Sequence, residues 1–263
     1  MPELPDVEVF RQYMNKKALH RTIKQVQILE DTILEGTTAK QLKSRLEGRA
    51  FDSTFRHGKH LFAKVTENGW LVFHFGMTGR FDYFRGNKTP EHTRAVFSFT
   101  NGYSLAFLLQ RKLGKLALVD GKAEYRKKHG LGPDAMDKKF SLADFREALK
   151  DTNSTIKSAL MNQELMAGIG NIYSDEILFQ ARLHPKTNTK ELGVRQIDKL
   201  YQTTREVLQA AIDSGADPEK MPDNFLIPQR KKSCPVCGGD IKKITVSGRS
   251  AYFCPNCQKK PSS

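Results

Sequence analysis

The four cysteines of this 263-residue chain lie together near its C-terminus, and their spacing restricts what that region can fold into more than any other sequence feature. They form two Cys-x2-Cys pairs, Cys234 with Cys237 and Cys254 with Cys257, with 16 residues between the pairs. This spacing is typical of four thiolates that bind one zinc ion. Because four thiolates leave no open coordination position, the sequence predicts one structural Zn2+ ion.

The residues between the two pairs predict a β-hairpin. Residues 241–246 and 251–253 have the composition of short strands, and Ser247-Gly248 is a turn sequence. The predicted module is a zinc ribbon with Arg249 near its tip, where the guanidinium either contacts phosphates or is an ordinary exposed turn arginine. Two disulfides are the alternative use of the cysteines, but the absence of cysteine elsewhere in a chain expected to be intracellular argues against them.

The chain is strongly basic. It contains 43 Lys and Arg against 29 Asp and Glu, a formal net charge of +14, and residues 228–263 alone hold eight Lys or Arg and one Asp. This charge favours nucleic acid as the partner over an anionic membrane, since neither a basic amphipathic helix nor a lipidation motif is present. Without a secretory signal or an apolar run of membrane-spanning length, we expect a monomer inside the cell, in the cytoplasm or nucleoid, or in the nucleus of a eukaryote.

The residues before the ribbon divide into a β-rich part and a helical part. Hydrophobic spacing predicts a helix over 5–18, buried strands over 62–65, 71–75, 95–99 and 105–109, and, after a linker over 129–134, helices over 142–150, 155–166, 173–182 and 194–214. The predicted fold class is α+β. We expect an N-terminal β-sandwich domain with flanking helices over 1–135, a helical domain over 136–227 and the zinc ribbon over 228–263.

Two short motifs are candidates for chemistry. Removal of Met1 would give Pro2 a free secondary amine, a nucleophile that a proline inside a chain does not have. The alternative, favoured by these residues alone, is that Pro2 only shapes the entry to the first helix. In the second motif, residues 167–171, glycines permit a tight turn and Asn171 is expected to cap the next helix. The amides of such a helix-turn-helix hairpin can bind a phosphate, and simple helix packing is the alternative.

In this order, the motifs resemble those of the formamidopyrimidine-DNA glycosylase and endonuclease VIII family of base-excision repair enzymes. The resemblance spans essentially the whole chain. It rests on Pro2-Glu3-Leu4-Pro5, Arg56-His57-Gly58-Lys59, His74-Phe75-Gly76-Met77-Thr78-Gly79, Leu131-Gly132-Pro133, Gly168-Ile169-Gly170-Asn171-Ile172-Tyr173 and the ribbon from Gly248-Arg249 to Gln258. The Pro-Glu-Leu-Pro start is closer to the formamidopyrimidine branch.

The resemblance implies a catalytic N-terminal domain and a bifunctional DNA glycosylase and AP lyase, acting on double-stranded DNA with damaged bases or abasic sites. Pro2 would attack C1′, expel the base and form a Schiff base from which the flanking phosphates leave by β and δ elimination. Glu3 would protonate the sugar ring oxygen, a role that requires a carboxyl kept protonated by burial. Lys59, on a β-hairpin, would bind the phosphate near the lesion.

The resemblance also implies a helix-two-turn-helix motif in the helical domain and a set of DNA-binding residues. Lys157, Asn171 and Arg249 would hold the phosphates that flank the extruded nucleotide. Met77 would wedge into the gap and Arg111 would face the orphaned base, with Leu113 at a position where the family often has phenylalanine. A methionine in a β-run is otherwise more often a core residue.

The sequence departs from the family pattern at several places. Asp6 replaces the usual glutamate, Asn162 the usual aspartate, residues 109–114 differ from Asp-Pro-Arg-Arg-Phe-Gly, and the segment 216–233 looks shorter than in oxoguanine-excising enzymes. The shorter segment argues against oxoguanine as the main substrate and leaves formamidopyrimidines, oxidised pyrimidines and bulkier lesions open. A non-catalytic zinc-ribbon DNA-binding protein and an RNA-binding ribbon are the competing functions.

Overall fold

The computed structural model describes residues 1–86, 88–229 and 233–260. Residues 230–232 and 261–263 of the predicted ribbon segment therefore lie outside the described residues. The chain divides into two compact units, Met1–His129 and Gly130–Ser263. The first is rich in strands and the second in helices, so the α+β class is confirmed. The expected domain boundaries after residues 135 and 227 stay predictions.

The first unit contains three helices and nine strands among its described residues. They are α1 (Leu4–Ala18), β1 (Ile23–Ile28), β2 (Leu34–Glu35), α2 (Ala39–Leu46), β3 (Phe51–His57), β4 (His60–Val65), β5 (Asn68–His74), β6 (Arg80–Arg85), β7 (Thr93–Phe99), β8 (Tyr103–Leu108), β9 (Lys115–Val119) and α3 (Lys122–Lys128). The strands form two sheets, with orders β1-β7-β8-β6 and β2-β9-β5-β4-β3. The short β2 pairs parallel to β9, and the other pairings are antiparallel.

The core of the first unit is built from the two sheets and one face of α1. Phe73 of one sheet packs against Phe97 and Phe107 of the other, with ring centroids 5.9 and 5.4 Å apart. Val7 and Met14 lie two helical turns apart on the same face of α1 and are fully buried in this core. Burying each such side chain contributes roughly 1.5–3 kcal/mol, which fixes α1, and with it the N-terminus, on the sandwich.

The second unit contains four helices and one β-hairpin among its described residues. They are α4 (Leu142–Lys150), α5 (Ile156–Met161), α6 (Asn171–Gln180), α7 (Val194–Asp213), β10 (Lys242–Val246) and β11 (Arg249–Phe253). Short 3-10 turns lie at Thr189–Glu191, Pro218–Lys220 and Ile227–Gln229. Among the described residues of both units, no helix combines the length and the apolar character needed to cross a membrane.

The α5 helix ends at Met161, five residues before the predicted end. Gln163 causes the difference, because its amide group closes the turn that follows: Nε2 donates to the carbonyl oxygens of Met161 at 2.7 Å and Ile169 at 2.8 Å, while Oε1 accepts from the Gly168 amide at 3.0 Å. A side chain that satisfies three backbone groups stabilises this turn in place of another helical turn. The helical periodicity of the sequence does not reveal a side chain that closes a turn in this way.

Residues 130–134 of the stretch predicted as a linker belong to the second unit. The Ala167 amide donates to the Pro133 carbonyl at 2.8 Å, and the Ala135 amide donates to the Ala167 carbonyl at 3.0 Å. A Cβ atom on Gly132 would lie 2.1 Å from the Glu164 carbonyl oxygen, so glycine is required there. The segment is therefore paired along the α5–α6 turn and is not a free connection.

Candidate active site and DNA-binding surfaces

The N-terminus of the chain precedes the first helix. Helix α1 begins at Leu4 with Glu3 as its N-cap, so Pro2 lies outside the helical backbone. Pro2 is half-buried, and Met1 is 43% exposed. Glu3 is only 1% exposed. The chain end thus combines an accessible Met1, a proline that needs only the loss of Met1 to become an amine, and a buried carboxyl group beside it.

Asp6, the first departure from the family pattern, fixes the backbone of Glu3. The Glu3 amide donates to Asp6 Oδ2 at 2.9 Å, as in a capping box. Burial raises the pKa of Asp6, although the hydrogen bonds from the Glu3 amide and its own amide, together with the charge of the N-terminus, act against this shift. An aspartate at this position is therefore well placed to hold the first turn of α1 and the residue that precedes it.

Lys59 lies in the turn between β3 and β4, next to Gly58, whose φ is +55°. An ion pair ties this turn to α1, because Arg56 Nε lies 3.2 Å from Glu8 Oε2 and Arg56 Nη1 donates to the Gly58 carbonyl at 3.4 Å. Burial alone would raise the pKa of Glu8, but the hydrogen bonds and charges of Arg11 and Arg56 outweigh it, and its pKa is lowered. The carboxylate form that binds Arg56 is therefore favoured.

The three expected wedge residues are exposed side chains on two loops. Met77 lies between β5 and β6 and is 40% exposed, whereas Leu113 lies between β8 and β9 and is 50% exposed. Arg111 is exposed on the same loop as Leu113. A methionine this exposed is not a core residue, so the competing interpretation of Met77 is wrong.

The two wedge loops are in direct contact. A Cβ atom on Gly76, whose φ is +59°, would lie 2.6 Å from the Gly114 nitrogen. The Arg111 amide donates to Thr78 Oγ1 at 3.3 Å. The backbone of one loop therefore fixes the position of the other, and the structure brings together the loops that carry Met77, Arg111 and Leu113.

In the second unit, Asn171 is the first residue of α6, and Gly170 occupies the N-cap position. The expectation that Asn171 caps this helix is therefore wrong. Its Oδ1 atom is buried and has no hydrogen-bond partner among the described residues. An unsatisfied buried polar atom costs about 1–3 kcal/mol, so this acceptor oxygen is suited to a water molecule or another hydrogen-bond donor, and a phosphate would have to be bound by the Asn171 Nδ2 group.

Lys157 is placed differently from the expectation. Its side chain is fully buried, and Nζ lies 2.5 Å from Asp175 Oδ1 while it donates to Ser174 Oγ at 2.9 Å and to the Asn171 carbonyl at 3.2 Å. An ammonium group enclosed by these acceptors is not available to a phosphate. The role implied for Lys157 is therefore corrected from direct phosphate contact to support of the first turn of α6.

Sequence reasoning missed the two acidic residues of α6. Asp175 is 1% exposed, and Glu176, which is fully buried, accepts hydrogen bonds from the amides of Leu226 and Ile227 at 3.1 and 2.7 Å. Two consecutive carboxylates directly before the apolar residues 177–179 were the signal that could have found them, because buried charges require partners. Asn162, which stands where the family usually has aspartate, can make the same local hydrogen bond. Its Oδ1 accepts from the Glu164 amide at 3.0 Å, as an aspartate would.

Arg249 is exposed as the first residue of β11. It pairs with Val246 across a two-residue turn, in which Ser247 and Gly248 have φ values of +47° and +75°. Positive φ at both central residues is the geometry of a type I′ turn, the kind that suits a tight hairpin. The guanidinium therefore projects from the hairpin tip, as expected from the sequence.

The four cysteines form a site that fits one zinc ion. Their sulfur atoms all lie within 4.8 Å of one another, with Cys234 and Cys257 at 3.8 Å and Cys237 and Cys254 at 3.5 Å. Tetrahedral thiolates at about 2.3 Å from zinc would be separated by about 3.8 Å, whereas a disulfide requires about 2.05 Å. A hydrogen bond from the Gly239 amide lowers the pKa of Cys237 to about 7, whereas burial raises the pKa of Cys254 and of Cys257, so binding of zinc would displace protons from those two thiols.

Comparison with known protein families divides the chain into three matched segments. Residues 1–116 match the model described as the formamidopyrimidine-DNA glycosylase N-terminal domain, and residues 131–222 match the H2TH domain of the same enzymes. Residues 231–260 match a zinc finger found in FPG and IleRS. Together these segments cover most of the chain.

Whole proteins match over nearly their full lengths. The formamidopyrimidine-DNA glycosylase of Oceanobacillus iheyensis is 34% identical, with 98% of each chain covered, and that of Listeria innocua is 31% identical, with 98% of this chain and 100% of the relative covered. Among solved structures, Lactococcus lactis Fpg bound to DNA containing N7-benzyl-Fapy-dG gives a TM-score of 0.89 at 30% identity. The same protein bound to abasic-site DNA gives 0.90 at 31% identity, and both cover 98% of this chain and 100% of the other.

Proposed function

The chain belongs to the formamidopyrimidine-DNA glycosylase family, and we propose that it releases damaged bases from double-stranded DNA and then nicks the strand through a Schiff base on Pro2. Membership of this family makes it a DNA glycosylase of base excision repair. The lyase step, the Schiff base and the roles of individual residues are the proposed part.

The arrangement at the N-terminus is the observation that carries the proposal. Pro2 precedes α1 and Glu3 is buried beside it. The turn that carries Lys59 is tied to the same helix through Arg56 and Glu8. The proposed nucleophile and acid therefore directly precede α1, and the turn that carries the proposed cation is tied to the same helix, an arrangement that favours the pre-organisation that covalent catalysis requires.

The first half of the reaction releases the base. After Met1 has been removed, the lone pair of the Pro2 nitrogen attacks C1′ and the glycosidic bond breaks with its electrons passing to the base, which takes up the proton that the Pro2 nitrogen then loses. Glu3 donates a proton to the ring oxygen, so that the C1′–O4′ bond opens and an iminium ion forms between Pro2 and C1′. Lys59 offsets the negative charge of the adjacent phosphate.

The second half nicks the strand. Loss of a proton from C2′ lets the iminium ion accept electrons as the 3′ phosphate leaves, and loss of a proton from C4′ then expels the 5′ phosphate in a second elimination. Water hydrolyses the iminium ion that remains and restores the amine. The product is a gap of one nucleotide with a phosphate at each end.

The DNA-binding residues complete the proposal. Met77 and Leu113 would fill the gap left by the extruded nucleotide, and Arg111 would face the unpaired base. Asn171 and Arg249 would bind the flanking phosphates. The partner is a DNA duplex bound by one copy of the chain, in the compartment that holds the chromosome.

The Lactococcus lactis complexes with Fapy-dG and N7-benzyl-Fapy-dG DNA support ring-opened purines as the substrate class.

Single-turnover cleavage of a duplex with one ring-opened purine tests the function. Wild-type protein should give the two phosphate ends, with no cleavage of undamaged DNA or of the same sequence in RNA. Glu3→Gln should slow base release by about 100-fold or more, while nicking of preformed abasic DNA, whose sugar already opens spontaneously, should fall much less. Glu91→Gln, which alters an 88% exposed carboxylate, is the matched control. Base release by Glu3→Gln at the wild-type rate would contradict the assigned role.

A further inference from the structure

The carboxylate of Asp175 joins α6 to the zinc ribbon. Its Oδ1 atom lies 2.5 Å from Lys157 Nζ, and its Oδ2 atom accepts a hydrogen bond from the Tyr252 amide of β11 at 3.1 Å. Asp175 is 1% exposed, so both contacts are shielded from water. One buried side chain therefore touches the elements that carry the two phosphate-binding residues of the second unit.

These two hydrogen-bonding partners of Asp175 lie close to those two residues, Asn171 and Arg249. On one side, Lys157 Nζ donates to the carbonyl of Asn171 at 3.2 Å. On the other side, Tyr252 lies three residues after Arg249 on the same strand. A separate hydrogen bond at 2.8 Å joins Ser158 of α5 to Ser247 in the turn that precedes Arg249. The hairpin is thus anchored to the helices at its strand and at its tip.

Stability alone does not explain a buried ion pair at this position. Replacing such a pair by apolar residues of similar volume is often neutral or stabilising, since both charges lose their hydration on burial. A two-stranded hairpin, in contrast, has little stability or fixed orientation of its own. The Tyr252 amide faces away from β10 and towards α6, so the carboxylate sets where β11 lies relative to the helix.

We propose that Asp175 is a positioning residue that fixes the spacing between Asn171 and Arg249, so that both side chains engage the phosphates flanking the lesion at the same time. The inference rests on the proposed function for the identity of the two phosphate contacts. Asp175 itself touches no DNA. Its effect passes through Lys157 to Asn171 and through the Tyr252 amide to Arg249.

The test measures DNA affinity of the full-length, zinc-loaded protein for a duplex with a stable abasic-site analogue, over a series of salt concentrations. Asp175→Asn keeps the shape of the side chain but leaves one acceptor oxygen for two donors. We expect affinity to fall about tenfold and the salt slope to fall by about one, as when a phosphate contact is lost. Asp198→Asn, which breaks the exposed Arg146–Asp198 ion pair of the same unit, is the control and should leave both quantities unchanged.

A second background separates positioning from a general loss of structure. In the Asn171→Ala, Arg249→Ala double variant, adding Asp175→Asn should change affinity by less than about twofold, because the contacts that it positions are already absent. An equal loss in both backgrounds would overturn the proposal, as would an unchanged affinity for Asp175→Asn in the otherwise wild-type protein.

A third variant addresses the case in which Lys157, left buried without its carboxylate partner, unfolds the second unit. Lys157→Met combined with Asp175→Leu removes both charges and keeps the site filled, so its melting temperature and zinc content should stay near those of the wild type. The proposal predicts weakened DNA binding in spite of that stability. Wild-type affinity in this variant would overturn it.

Borohydride trapping on abasic DNA at saturating protein, measured in parallel, reports the Pro2 chemistry separately. Trapping should persist in each Asp175 variant, whereas failure of the proposed function would abolish it in the wild type as well.

Discussion

The backbone amide of Arg111 donates a hydrogen bond to the hydroxyl of Thr78 at 3.3 Å, and this contact links the two loops that carry the exposed Met77 and Leu113. The loops also meet where Gly76 lies against the Leu113–Gly114 backbone. Apolar side chains held outward on a rigid base are suited to insertion between base pairs. The rigidity comes from the close backbone contact at Gly76 and from the Thr78 hydrogen bond, and not from the exposed side chains of Met77 and Leu113.

Gly76→Ala should separate the two loops. The new Cβ atom would lie 2.6 Å from the backbone of Leu113 and Gly114, and φ is +59°. Gly36→Ala is the matched control, because its φ is +62° and no atom lies within 4 Å of the new Cβ. The left-handed conformation alone should lower the free energy of unfolding of the control by about 1–2 kcal/mol. Gly76→Ala should lower it by about 1–3 kcal/mol more, because of the added steric clash. Urea unfolding measures both, and equal losses would contradict the close approach.

Met77→Ala should impair extrusion of the nucleotide without affecting the fold. At 40% exposure, its loss should change the free energy of unfolding by no more than about 0.5 kcal/mol. Base release from a duplex should fall about tenfold or more, since the unstacking energy that the wedge offsets is a few kcal/mol. Nicking of single-stranded abasic DNA, which needs no wedge, should be unchanged. Equal losses on both substrates would show that Met77 does not act by wedging, and Val194→Ala, at 63% exposure, is the control.

Removal of zinc should unfold the ribbon and leave the first unit intact. Structural zinc contributes about 10 kcal/mol or more to modules of this kind. DNA affinity should fall and the salt slope should decrease by about one as the Arg249 contact is lost. The single tryptophan, Trp70, lies in β5, so its fluorescence reports the first unit alone and should not change. Undiminished DNA binding after complete removal of zinc would show that the ribbon is dispensable.

The fold was predictable where long hydrophobic patterns specify an element. Helix α4 was predicted at its observed bounds, and α7 to within one residue at its C-terminal end. The short helices α2 and α3 were not predicted, because seven or eight residues give too little periodicity, although the capping box of Thr38 and Gln41 was a readable signal for α2. The motifs shared with the family predicted more of the fold than the local hydrophobic patterns did. The matched relatives confirm the architecture.

The candidate site was predictable as a set of residues and less so as a set of contacts. The structure places Pro2 and Glu3 immediately before α1 and the wedge residues on exposed loops, and their roles stay predictions. It places Lys157 inside the protein, because burial of a lysine depends on distant partners such as Asp175 that spacing along the chain does not reveal. Asn171 lies one position after the N-cap for a similar reason, since the preceding turn is set by the side chain of Gln163.

The histidines of the first unit predict a loss of stability in mild acid. Burial lowers the pKa of His60 well below its ordinary value, with the nearby charges of His74, His129, His57 and Lys59 acting in the same direction. Burial also lowers the pKa of His74. Below about pH 6.5 the unfolded chain therefore binds protons that the folded chain does not, and stability falls as the pH falls.

His60→Phe should reduce this pH dependence. Removing one such proton should decrease the slope of the unfolding free energy between pH 6.5 and 5.5 by up to about 1.4 kcal/mol per pH unit. Urea unfolding followed by Trp70 fluorescence at pH 7.5, 6.5 and 5.5 gives the slope. An unchanged slope would show that His60 does not resist protonation in the folded protein.

Identification of the atom that attacks C1′ is the most direct test of Pro2 as the nucleophile. Protein lacking Met1 is incubated with abasic DNA and borohydride, and the covalent adduct is digested with nuclease and trypsin and analysed by mass spectrometry. The sugar remnant should be attached to the Pro2 nitrogen of the peptide spanning residues 2–11, and the yield should fall sharply in Pro2→Gly. Attachment to Lys59 or to any other residue, or an undiminished adduct in Pro2→Gly, would contradict this role of Pro2.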